Sequence, residues 1–185
     1  MVRYDTEYKP YVVSDSTQKI FKLGSNVLFG AAGLFRKGET PSDPFKECDM
    51  GVITYDSAKT ILMNHASAIA YDLFRGKLAR QYVLGGKDEN GEFHMVTMSH
   101  KLDGEFAGKF LVTDWTPYVD GGISATILLP FQLPEVTKGY MNMLSNKIKA
   151  ASSTTEIISA ANEVLQSIAD NDETVGHTGM AIMVT

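Results

Sequence analysis

The sequence predicts an α+β domain in which helices stack on mostly antiparallel sheet, and three observations lead to that class. Apolar runs are separated by short turn-forming pieces, which pairs neighbouring strands into hairpins. The elements follow the order strands, helix, strands, two helices, strand, which is not a βαβ repeat. At 185 residues the chain has the length of one domain with a sizeable core. No internal repeat or low-complexity linker divides it, so a single domain over residues 1–185 is expected.

The first well-patterned segment is STQKIFKLGSNVLFGAAG, residues 16–33. Ile20, Phe21 and Leu23 precede the turn formers Gly24-Ser25-Asn26, and Val27, Leu28 and Phe29 follow them, so two strands joined by a tight turn are expected. Lys19 then heads one strand and Gly30-Ala31-Ala32-Gly33 ends the next. Small residues at a strand end leave room either for a packed neighbour or for a ligand approaching the backbone. Two prolines, a glycine and mixed charges make residues 35–49 a loop or insertion. From Ser57 to about Phe74, Ile61, Leu62, Ile69 and Leu73 recur at helical intervals, with Asp56 or Ser57 as N-cap.

RQYVLGG and GEFHMVTMSH flank KDEN, and Asn90-Gly91 between apolar runs signals a second hairpin. FLVTDW reads as strand, Gly121-Gly122 as a turn, and ISATILLP as either strand or helix. Beyond Pro134, Val136, Tyr140, Leu144 and Ile148 repeat every four residues. Another helix starts at Ser153, where Glu156 completes a capping box, and Ile157, Ile158, Ala161, Val164, Leu165 and Ile168 give it one apolar face. HTGMAIMVT closes the chain as a short final strand.

Composition narrows the function. Hydrophobic residues make up 44% and charged residues 21% of the chain, and no apolar run approaches the ~20 residues of a membrane span, so neither a membrane nor a secretion signal is expected. Seventeen basic against 22 acidic residues leave a net charge of -5, and the basic residues are scattered, which excludes nucleic acid as a partner. The single Cys48 cannot form an internal disulfide and fits a reducing cytoplasm.

Motifs for familiar chemistry are missing. His65, His94, His100 and His177 show no metal-ligand spacing, and Cys48 lacks a CxxC partner, so no metal or cofactor is expected. The sequence has no serine-hydrolase elbow, P-loop or dinucleotide fingerprint. Asp170, Asp172 and Glu173 crowd the end of the last helix, where the macrodipole disfavours negative charge. Such a cluster is either a solvated helix end or a carboxylate placed near a cation.

Lys19-Ile-Phe-Lys-Leu, a turn, Val-Leu-Phe-Gly-Ala-Ala-Gly33, then a helix, the VLGG-KDENG-EFHMVTM hairpin, a Gly-Gly, two helices and a terminal strand together resemble the proteasome β-subunit family of N-terminal nucleophile hydrolases. The resemblance spans roughly residues 14–185. It implies a four-layer αββα sandwich of antiparallel sheets flanked by helices. It also implies a catalytic set in which Lys19 assists the nucleophile, Gly33, fourteen positions on, donates its N–H to the oxyanion, and Asp172, four residues before Gly176, supports the site. Ala31, Phe35 and Gly121 become substrate-binding positions on the same grounds.

In that family the nucleophile is an N-terminal threonine about thirty residues ahead of the lysine. Met1-Val2-Arg3 offers no Thr, Ser or Cys, and Val175 and Gly121 stand where the family has serines. The expected function is therefore a threonine-type peptide hydrolase, inactive as this chain unless an upstream segment supplies the nucleophile. The alternative is a non-catalytic assembly or binding subunit. The resemblance further implies a cytoplasmic homo-oligomer, up to a ring, acting on peptide or unfolded polypeptide without a cofactor.

Overall fold

A computed structural model describes residues 2–4, 10–12, 18–115, 127–128, 134–172 and 175. Its contacts group into two compact units, one built from residues 1–17 and 118–181, the other from 18–117 and 182–185.

In the first unit, β1 (Val2–Tyr4) and β2 (Pro10–Val12) form an antiparallel pair with Arg3 opposite Tyr11. The second unit holds a five-stranded antiparallel sheet of β3 (Ile20–Leu23), β4 (Val27–Gly33), β5 (Arg80–Lys87), β6 (Phe93–His100) and β7 (Phe110–Trp115), paired in sequence order. Helix α1 (Tyr55–Arg75) connects β4 to β5. Alternation puts Val27, Phe29 and Ala31 on one face of β4, Tyr82 and Leu84 on the same face of β5, and Val96 and Met98 on that of β6. All are buried. Helix α1 packs on this sheet and buries Ala58, Leu62, Ala66 and Leu73. Leu62 is fully buried, a contribution of about 2 kcal/mol from that side chain alone.

The start of α1 differs from the sequence reading by a few residues. Thr54 is the N-cap: its hydroxyl accepts the Ser57 N–H at 3.3 Å, while Ser57 Oγ accepts the Thr54 N–H at 3.0 Å. Ser57 thus serves as the third helical residue of a reciprocal cap, with its short hydroxyl doing the work usual for glutamate. Residues 34–54 are loop with one 3-10 turn at Asp43–Phe45. Phe45 is 1% exposed and meets the Phe29 ring edge-on at 5.0 Å, so this loop contributes to the core.

In the first unit α2 (Pro134–Ala150) and α3 (Thr154–Ala169) pack together around Leu144, Ile148, Ala160, Val164 and Ile168. Ser153 caps α3 by accepting the Glu156 N–H, as expected. The Glu156 carboxylate reaches the Ser152 N–H instead of closing the box on Ser153.

The expected four-layer αββα sandwich is not what forms. Among the described residues the extended sheet is a single five-stranded meander covered by one helix, and the only other pairing is the β1–β2 hairpin. Hairpin signals specify which strands are neighbours, and here β3 to β7 satisfy one another within one sheet. Pairing in sequence order leaves no strand of that run for a second sheet. The expected strand over HTGMAIMVT and the Gly121-Gly122 turn lie outside the described residues, as does all of ISATILLP except Ile127 and Leu128.

Candidate functional site

The first hairpin sets the Lys19 backbone opposite Ala31, two residues before Gly33. Lys19 sits just ahead of β3, and its carbonyl oxygen accepts the Ala31 N–H at 3.0 Å. This bond continues the β3–β4 ladder by one step beyond Ile20 opposite Gly30. Lys19 is exposed, yet the surrounding chain desolvates its ammonium enough to lower its pKa.

Successive amides of a strand point to opposite sides, so the N–H of Gly33, two residues beyond Ala31, faces the β3 side of β4 as the Ala31 N–H does. Gly33 has φ +118°, a backbone state that side chains avoid. A β-carbon there would lie 2.3 Å from the Ala79 carbonyl oxygen. The glycine is required on both counts.

Ala31 and Phe35, expected to contact substrate, are 3% and 5% exposed. Both are core residues: Ala31 lies on the sheet face that α1 covers, and the Phe35 ring lies under the guanidinium of Arg80, 4.3 Å from its centroid. Asp172 follows α3 in the other unit, half-buried, and its carbonyl accepts the Val175 N–H at 3.0 Å. Gly121 lies outside the described residues.

Two features escaped the sequence reading. Arg80 is 3% exposed: its Nη2 donates to the Leu34 carbonyl oxygen at 2.6 Å and to Glu39 Oε2 at 2.6 Å, and its Nε reaches the same carbonyl at 3.2 Å. Glu39 Oε2 also accepts the Arg36 N–H at 2.8 Å. Burial opposes the charge on Glu39, but the Arg36 N–H and the Arg80 guanidinium together hold its carboxyl below the usual range. The signal was present in the alternation of RQYVLGG, which puts Arg80 on the inward face with Tyr82 and Leu84.

The other feature lies at the β5–β6 turn, where Asp88, Glu92 and His94 bring ligand-type atoms within 4.8 Å of one another. Asp88 Oδ1 accepts the Asn90 and Glu92 N–H groups at 2.8 and 2.9 Å, and its Oδ2 lies 3.1 Å from His94 Nε2. Tyr55 stacks on the His94 ring at 5.4 Å. The carboxylate works as a brace for the hairpin turn. The spacing of histidines and cysteines along the chain carries no trace of it.

Among the described residues no helix is long and apolar enough to cross a membrane. No family model matches this chain, and no curated protein matches it. Its function is therefore read from its own residues.

Proposed function

We propose that the corner formed by Lys19 and the end of β4 binds the amide backbone of a polypeptide, with the division of labour of an N-terminal nucleophile peptide hydrolase. The observation that carries the reading is the hydrogen bond from the Ala31 N–H to the Lys19 carbonyl. It fixes the Lys19 backbone beside β4, two residues short of Gly33, whose amide faces the same side. A lysine and a backbone donor at one strand end suit a carbonyl oxygen that gains negative charge. The reading concerns this corner and requires no second sheet.

The expected product of this arrangement is binding of a peptide amide, with cleavage where a threonine, serine or cysteine amine stands beside Lys19. The setting we propose is a cytoplasmic homo-oligomer, the association supported by Val136, Met143 and Ile158, which remain exposed on α2 and α3. The test is a nuclear magnetic resonance titration with a blocked tripeptide. Movement of the Gly33 amide resonance, lost in Lys19→Ala, is the expected result; a Gly33 resonance that never moves overturns the reading.

A further inference from the structure

We propose that the β5–β6 turn is a divalent-cation site of the zinc class, with Asp88 Oδ2, the Glu92 carboxylate and His94 Nε2 as its ligands. It lies at the opposite end of the β4–β5 ladder from Gly33 and Arg80, so it stands or falls apart from the polypeptide-binding reading.

The turn itself needs only half of the Asp88 carboxylate. Oδ1 accepts the Asn90 and Glu92 N–H groups, and the Gly91 N–H closes on the Asp88 carbonyl at 3.1 Å. These bonds hold the carboxylate in one orientation, with Oδ2 turned toward His94 Nε2 at 3.1 Å and approached by Asn90 Nδ2 at 3.4 Å. Two ligands each about 2.0–2.1 Å from a tetrahedral zinc lie about 3.3 Å apart, so the pair already has nearly the span that a shared ion requires. Glu92 is exposed and offers an oxygen within 4.8 Å of both, close enough to complete the set by a change of rotamer.

His94 is held in place for this role. Alternation turns it to the face of Val96 and Met98, where Tyr55 stacks on its ring at 5.4 Å. Lys87, opposite Phe93, belongs to the other face, and its ammonium lies 4.9 Å from the Phe93 ring centroid, so that charge does not take the ion's place. Asp88 and Tyr55 also line a cleft of about 170 Å³ together with Asn26, Gly51 and Thr54. Tyr55 is 3% exposed, and its hydroxyl finds no hydrogen-bond partner among the described residues. A buried donor in that state calls for a polar guest nearby, and a water at the ion's fourth position is of that kind.

The donor set selects the ion. An imidazole nitrogen beside two carboxylates favours a borderline cation such as zinc over calcium or magnesium, which prefer shells of oxygen alone. The ion takes the place of the hydrogen between Nε2 and Oδ2, and the neutral ring then carries its proton on Nδ1.

The test titrates the full chain with zinc chloride, reading the heat by calorimetry and the His94 ring nitrogens by nuclear magnetic resonance. One zinc per chain is expected, with the Nε2 resonance displaced by zinc and unmoved by calcium or magnesium. Glu92→Gln, an exposed change that keeps the Asp88 brace, should weaken zinc binding by at least about tenfold, the loss that even an outer partner of a ligand brings. His94→Gln should abolish binding at micromolar zinc. Zinc that leaves the His94 nitrogens unmoved, or that binds both variants as it binds the wild type, overturns the proposal and leaves Asp88 a brace for the turn alone.

Discussion

Gly33 and Arg80 face one another across the β4–β5 ladder so closely that a β-carbon on Gly33 would lie 2.8 Å from the Arg80 Cα. The neighbouring atoms are backbone on a central strand, so they cannot swing aside. Gly33→Ala is expected to destabilise the chain by about 3 kcal/mol, combining positive-φ strain with the clash. Gly91→Ala is the control: φ there is +82° but nothing lies within 4 Å, so only the φ cost of about 1 kcal/mol applies. Urea unfolding followed by circular dichroism compares the two, and equal losses would show that the clash is relieved.

Removing the guanidinium strands its partners. Arg80→Met leaves the Glu39 carboxylate and the Leu34 carbonyl facing apolar side chain, and a loss of about 3–5 kcal/mol is expected. The double variant Arg80→Met with Glu39→Leu should recover much of it, since no buried charge remains. Recovery is read from the same unfolding midpoints.

Stability should fall on mild acidification. His65 and His100 have lowered pKa values, for both chiefly through burial, with the nearby Arg80 charge adding to it. The unfolded rings titrate near the ordinary 6.5 while the folded rings stay neutral, so below that pH the unfolded state binds more protons. Their contribution is complete above pH 6.5 and is lost as pH falls through the folded values. Glu39, also lowered, adds a second loss that begins only below its ordinary 4.5. His65→Gln with His100→Gln should flatten the first slope and keep the second; an unaltered first slope would assign it to other groups.

Phe45 tests whether the 34–54 loop belongs to the core. Its burial and its edge contact with Phe29 set an expected cost of about 3–5 kcal/mol for Phe45→Ala. The exposed pair of Lys59 and Asp114, 3.0 Å apart, offers the contrast: Asp114→Asn should cost less than about 1 kcal/mol and vary with salt.

Local chemistry made several elements legible. The Gly24-Ser25-Asn26 and Asn90-Gly91 turns gave both hairpins, and the four-residue spacing beyond Pro134 and the cap at Ser153 gave α2 and α3. Sheet count was harder, because a hairpin signal names a strand's neighbour and says nothing of how many hairpins share one sheet. The start of α1 was misplaced because Asp56 or Ser57 was taken as the cap, whereas both lie inside the helix and Ser57 is the third residue of the Thr54 cap. At the candidate site, Lys19 and Gly33 were singled out through the family resemblance and not by any local pattern of their own. The inward place of Arg80 was written in the alternation of RQYVLGG, but its pairing with Glu39 was not legible, since an ion pair joined across 41 residues leaves no local pattern.

The β4–β5 pairing has a kinetic meaning as well. β3–β4, β5–β6 and β6–β7 each close over a short turn or loop, whereas β4 reaches β5 only after α1 has intervened, and the Arg80 to Leu34 bond spans 46 residues. Loop-closure entropy makes that the most expensive pairing in the sheet, so the two hairpin-built halves are expected to form first and dock afterwards. Gly33 and Arg80 lie on opposite sides of that docking seam. Pulse-labelled hydrogen exchange should therefore find the β5–β6 amides protected before those of β4 opposite β5, with the corner at Gly33 and Arg80 acquiring its shape only as the last long-range pairing closes.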